Sequence, residues 1–182
     1  MKTTPGRCFE DYHVGDVIEH AVPRTLSGGE KALYHALYPA RHAMHSSEVF
    51  AANCGLAGGP FDDVIVFHTV FGKTVPDISL NAVANLGYGE GRWLKPVRPG
   101  ATLTSSSEVI GVKENSNGRT GVVWVRTTGR DETGDAVLSY VRWVMVRKRN
   151  AESVAPDTVV PDLLPNLAAA DLVIPEGLDF TS

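Results

Sequence analysis

Two histidines three residues apart, His42 and His45, close the stretch LYPARHAMH (residues 37–45). Imidazole exchanges a proton near neutral pH, so such a pair suits general acid–base work. No carboxylate lies within the stretch to orient or assist either ring. His68 sits inside the apolar run VIVFHTVF (64–71) with no second ligand type at i+3 or i+4. It therefore reads as a hydrogen-bonded core residue, and no metal site is expected. His42, after a short helix, reads as a structural or solvent-facing group. Cys8 and Cys54 form no CxxC pair. That spacing argues against a zinc site or a disulfide framework and for a reducing compartment.

These residues must be positioned by the segments around them. Ser27 with Glu30 three residues later has the capping-box spacing, and Leu33, Tyr34, Leu37 and Tyr38 recur at helical intervals. A helix is predicted there, closed by Pro39. HSSEVFAANCGL (45–56) reads as a second short helix, capped by Ser46 or Ser47 and ended by Gly55. FDDVIVFHTVFGKTV (61–75) is apolar almost all round at its centre, so period alone does not separate strand from helix. Asp62 and Asp63 at its head, where helix caps belong, favour helix, and Pro76 is expected to end it.

The rest is strand-rich. Asp16 to Val22 reads as a first strand, and NAVANLGYGEGRWL (81–94) as a strand that its glycines can bend. TLTSSSEVIGVKE (102–114) and RTGVVWVRTTG (119–129) flank an Asn117-Gly118 pair, a hairpin signal because both residues tolerate positive φ. AVLSYVRWVMVRKR (136–149) is the last long strand. Long strands after one apolar helix predict an α+β fold, an antiparallel sheet wrapped around that helix. The expected domain covers 1–150. Residues 151–182, with proline at 156, 161, 165 and 175, read as an extended, partly apolar connector lying along a protein surface.

With 182 residues, 43% of them hydrophobic, the chain can bury a core. Its net charge of −4 does not suggest a nucleic-acid partner. No uncharged run approaches the ~20 residues of a membrane span, and the N-terminus lacks an apolar signal core. A soluble cytoplasmic protein is expected.

The order of these pieces, with LKPVRPGATL (94–103) at the head of a strand, resembles the MaoC-like branch of the hot-dog fold. That branch carries a PVxPGDTL segment there and extra short helices before its central one. The stretches FEDYHVGDVIEH, DDVIVFHTVFGKTVPDISLNAVANLGYGEGRWLKPVRPG, SEVIGVKENSNGRTGVVWVR and LSYVRWVMVRKR are similar to the mesaconyl-CoA hydratase (β-methylmalyl-CoA dehydratase) family within it. The resemblance covers residue 9 to about 148. Chains of that family are about twice this length, with two hot-dog repeats. This one resembles the N-terminal repeat and most of the inter-repeat connector, so a second repeat or an identical subunit is the implied partner.

The resemblance implies reversible hydration of an unsaturated acyl-CoA, with mesaconyl-CoA and β-methylmalyl-CoA as the pair. It implies no cofactor beyond the CoA of the substrate. MaoC-type hydratases carry G-D-x-N-P-x-H, which falls on Pro39 to His45. His45 matches the motif histidine, Ala40 stands at the aspartate and His42 at the asparagine. Three readings are open. In the first, His45 works with a carboxylate from elsewhere, Asp63 or Asp62. In the second, this half only shapes the acyl-CoA tunnel while the other repeat holds the acid–base pair. In the third, the stretch is a structural corner.

The family's central helix starts with an N–H facing the thioester oxygen, which here falls near Asp63 and Val64. With His42 and Arg41, Val64 is a candidate substrate contact. A free acyl carboxylate would meet Arg41 or Lys73. Arg142, Arg147, Lys148 and Arg149 on the last strand either bind a CoA phosphate or form a solvated edge, and Glu90 and Arg92 could face the pocket. Rival functions are a non-catalytic acyl-CoA-binding half and a hot-dog thioesterase directed by Asp63.

Overall fold

A computed structural model of the chain describes residues 6–38 and 42–181. Five strands form one antiparallel sheet: β1 (Val17–Thr25), β2 (Ala82–Trp93), β3 (Thr102–Glu114), β4 (Thr120–Arg130) and β5 (Ala136–Arg147), in the order β1-β3-β4-β5-β2. Among the described residues four α-helices precede β2: α1 (Gly28–Leu37), α2 (Ala43–Ser46), α3 (Glu48–Asn53) and α4 (Asp63–Thr74). The sheet curls around α4, as the apolar run and the three long strands predict.

Local chemistry sets the helix starts. Ser27 accepts from Gly29 N–H, and Glu30 accepts from Ser27 N–H at 2.9 Å. Ser47, rather than Ser46, caps α3 by accepting from Phe50 N–H at 3.1 Å. Asp62 caps α4 by accepting from Val64 N–H at 2.9 Å. Replacing Asp62 with alanine is expected to cost about 1 kcal/mol, read as a lower denaturation midpoint at unchanged m.

Pro76 does not end the central helix. The chain widens into a π-helical turn, Val75–Ser79, that carries it on to β2. The turn is held from outside: the Tyr12 hydroxyl donates to the carbonyls of Ile78 (2.8 Å) and Asp77 (3.3 Å). In the hairpin after β3, only Gly118 takes positive φ, at 62°. The turn closes on Asn115, which accepts from Gly118 N–H, instead of on a two-residue loop.

The buried faces of the strands alternate, as a sheet covered on one side requires. Ile65, Val66 and Val70 of α4 pack with Leu103 and Leu138, and a Cβ on Gly129 would come within 2.6 Å of Val70. A second apolar cluster joins Phe9, Tyr12, Ile18 and Ile78 to the far ends of β3, β4 and β5. Buried polar residues also face the helix. The carboxylate of Asp77 bonds His20 Nδ1 at 2.8 Å, His20 Nε2 bonds Ser107 Oγ at 2.7 Å, and Ser107 bonds Thr127 at 2.8 Å.

Several charged residues sit differently from expectation. Arg142 is fully buried, its guanidinium 4.7 Å from the Phe71 ring centre and donating to Thr74 Oγ1 at 3.1 Å. The Lys148 side chain is buried and donates to Glu114 (2.6 Å) and to two carbonyls, and Arg149 pairs with Asp11. Arg142 and Lys148 are thus neither a phosphate site nor a solvated edge, because their side chains meet internal partners, whereas Arg149, exposed beside Asp11, keeps to the solvated edge. His68 is exposed rather than in the core, since it lies on the face of α4 away from the sheet.

The connector crosses the sheet. Val159 bridges to Val112, Pro161 lies on Gly111, and Leu164 N–H donates to Glu90 at 2.9 Å. Asp171 then pairs with Arg92 at 3.6 Å. Among the described residues, no helix is long and apolar enough to cross a membrane.

Candidate active site

The start of α4 is fixed from two sides. Asp62 caps it, and the Trp93 indole N–H at the end of β2 donates to the Asp63 carbonyl at 2.9 Å. The short helix α2 lies against the same end because Met44 is buried with Ala51, Cys54 and Leu56 of the α3 region. Lys31 ties α1 to this region through Glu48 and the Gly59 carbonyl, both at 2.9 Å.

This packing brings His42, His45 and Asp63 onto one cavity of about 220 Å³. The rest of its lining is mainly apolar: Met44, Leu56, Pro60 and Trp93 on one side, and connector residues on the other. The His42 and His45 rings are 5.2 Å apart. His45 Nδ1 is buried and has no hydrogen-bond partner among the described residues. Burial raises the pKa of the Asp63 carboxyl, and the neighbouring Asp62 adds to the rise while His45 and His42 oppose it. The Asp63 side chain is exposed on the cavity, and a carboxyl and an imidazole sharing one cavity are the group types that general acid–base chemistry uses.

An Asp63 that must be ionised to act as base would place the acid limb of the pH–rate profile above the ordinary aspartate range. Asp63→Asn is expected to abolish that limb together with most of the activity. A limb that persists in the variant would assign it to another group.

The other sequence-based candidates divide. Asp62 spends one oxygen on the cap, which is a structural role. Val64 N–H donates to that oxygen and is therefore not free for a substrate oxygen, a correction that follows from the cap itself. Among the described residues no partner is found for Asp63 N–H, one position earlier. The Val64 side chain instead lines a second cavity of about 280 Å³ with Phe67, Tyr88, Trp93 and Tyr140, running along α4 beside β2. Glu90 lines that cavity too, but its oxygens are taken by Arg126 and Leu164 N–H.

Lys73 donates to the Val22 carbonyl and lines neither cavity, so it is not the cation for an acyl carboxylate. Arg41, with Pro39 and Ala40, lies outside the described residues. Among the described residues no three His, Cys, Asp or Glu side chains gather as a metal's ligands would. Missed from sequence were Trp93, Met44 and the connector side chains, none of which carries a local chemical signal.

An antiparallel sheet curled around one helix, with a cavity lined by His42, His45 and Asp63 at that helix's N-terminus, fits a hot-dog unit of the MaoC type. A MaoC-domain protein of Chloroflexus aurantiacus superposes with a TM-score of 0.92 at 52% identity, over 96% of this chain and 50% of its own. A Mycobacterium tuberculosis protein with a double hotdog fold gives 0.76 at 28% identity, over 94% of this chain and 52% of its own. The profile of the mesaconyl-CoA hydratase family matches residues 2–176, and the chain belongs to that family. It is 69% identical over 181 residues to mesaconyl-CoA hydratase of Cereibacter sphaeroides, covering all of this chain and 53% of that protein. The chain spans about half the length of the curated relatives it matches.

Proposed function

We propose that this chain is one hot-dog half of a mesaconyl-CoA hydratase and that its cavity takes part in reversible addition of water to mesaconyl-CoA, giving β-methylmalyl-CoA. The observation that carries the reading is the convergence of His45 and Asp63 at the start of α4 in a member of this family. Hydration removes a proton from water as its oxygen bonds Cβ, and delivers a proton to Cα of the resulting enolate. Asp63 is the base and His45 the proton donor in this direction, with the roles reversed for dehydration. The enolate oxygen needs a donor, and Asp63 N–H is the helix-start group available to it. The thioester acidifies Cα, so this route needs no cofactor besides the CoA carried by the substrate.

A second reading, in which this half shapes the tunnel and the other repeat holds the pair, is favoured by Ala40 at the family's aspartate position. Hydrolysis of the thioester has no comparable support, since the relatives are hydratases. The proposed partner is a second hot-dog repeat or an identical subunit. β2 is an edge of the sheet, and Leu80, Val83, Leu86 and Tyr88 on or beside it are exposed. The two free thiols support a cytoplasmic location.

Assaying mesaconyl-CoA hydration by this chain alone and by the chain joined to a second repeat tests the reading. Activity in either, lost in Asp63→Asn, supports it. Activity in the joined form that Asp63→Asn and His45→Ala both leave intact moves the chemistry to the other repeat.

A further inference from the structure

We propose that residues 173–180 of the connector are the specificity wall of the His45 cavity and set the size of the acyl group it admits. The inference rests on the hydratase reading for the class of ligand, an acyl-CoA, and adds which part of the chain selects among acyl groups.

The cavity is lined from several parts of the chain. His42, His45 and Asp63 line it from α2 and the start of α4, Lys95 from the segment after β2, and Val173, Pro175, Leu178 and Phe180 from the connector. The connector side is seated and not merely adjacent. Asp179 N–H donates to the Cys54 carbonyl at 3.0 Å. Leu178 packs into the cluster of Met44, Ala51, Cys54 and Leu56. Gly55 and Gly177 both take left-handed backbone, with φ of 84° and 79°, and a Cβ on Gly55 would collide with the Gly177 carbonyl. Two glycine turns thus press backbone to backbone, which side chains at Gly55 forbid. Upstream, the Arg92–Asp171 pair holds the strand of connector that leads in.

The wall therefore docks on the α3 region, which also packs with Met44, the residue before His45. Its position relative to the reacting atoms is set by the fold, as a size filter requires. Leu178 is the anchor of this wall. Phe180 is 67% exposed, so its ring lines the cavity without supporting the core. A hydrophobic wall discriminates by about tenfold or more per methylene group that it excludes or accommodates.

The test uses the full-length protein and two saturated probes, butyryl-CoA and octanoyl-CoA, whose binding by calorimetry needs no reaction. In Phe180→Ala the ratio of the two dissociation constants is expected to shift toward octanoyl-CoA by about tenfold. Gly55→Ala displaces the wall without changing a lining side chain, and it is expected to shift the ratio the same way. In a Cys8→Ser background it should also speed alkylation of the buried Cys54 thiol by N-ethylmaleimide. Ratios within twofold of wild type in Phe180→Ala overturn the proposal, as does an unmoved ratio in Gly55→Ala with Cys54 newly reactive. If Gly55→Ala does not fold, Phe180→Ala decides alone. Hydration of mesaconyl-CoA, measured alongside, separates the two ideas: absent hydration with a shifted ratio rejects the hydratase reading and keeps the wall. Hydration with an unmoved ratio does the reverse, no binding of either probe overturns the wall, and no binding together with no hydration rejects both.

Discussion

His45→Ala is expected to lower kcat for mesaconyl-CoA hydration by about 10²–10⁴-fold, the usual effect of losing a positioned acid–base group. KM should move little, because the imidazole exchanges a proton and contributes little to ground-state binding. The structure makes this substitution a clean one. Nδ1 of His45 is buried yet bonds nothing among the described residues, so its removal orphans no partner there. The thermal midpoint should consequently stay close to wild type while turnover falls. His42→Ala is the natural control, since that ring is exposed and 5.2 Å away. A kcat within threefold of wild type, in a protein that hydrates mesaconyl-CoA, would remove His45 from the chemistry and leave this half as a wall.

Asp77→Ala should give the largest loss of stability of any single change considered, about 3–5 kcal/mol, because it strips one member from a buried polar chain. The carboxylate of Asp77 is 4% exposed, and it holds His20 Nδ1 at 2.8 Å while Arg7 stands 3.9 Å away. With Nδ1–H donating to Asp77, His20 Nε2 accepts from the Ser107 hydroxyl, and Ser107 accepts in turn from Thr127. Loss of the first member leaves a fully buried imidazole without its acceptor. Thr127→Val, at the other end, removes one neutral bond and should cost about 1 kcal/mol. Urea midpoints at constant m measure both. Equal costs at the two ends would show that the chain is not coupled through His20.

Helix starts were legible in the sequence because a cap is a local event. Ser27 with Glu30, and Asp62 ahead of Val64, each need only residues within three positions. Strand positions followed from alternation and turn residues for the same reason. Pro76 misled because the rule that proline ends a helix assumes an ordinary helix with no outside support. Here a hydroxyl sixty-odd residues away, on Tyr12, accepts the task of bonding the carbonyls of the widened turn. Arg142 misled similarly: alternation put it on β5, but its burial depends on Phe71, Thr74 and Ser79 from another element.

The sequence by itself placed the helices and strands of an α+β fold, through periodicity and capping, and its resemblance to the MaoC-like hydratases implied the hot-dog arrangement, the family and the histidine worth testing. It also showed that the motif's aspartate position holds alanine. Only the tertiary structure decided which carboxylate shares a cavity with His45, that the cap of Asp62 occupies Val64 N–H, and that Val173, Pro175, Leu178 and Phe180 line the same cavity. Each of those depends on contacts between segments distant in the chain, such as Gly55 with Gly177, and nothing in the local pattern of either segment encodes where the other will lie.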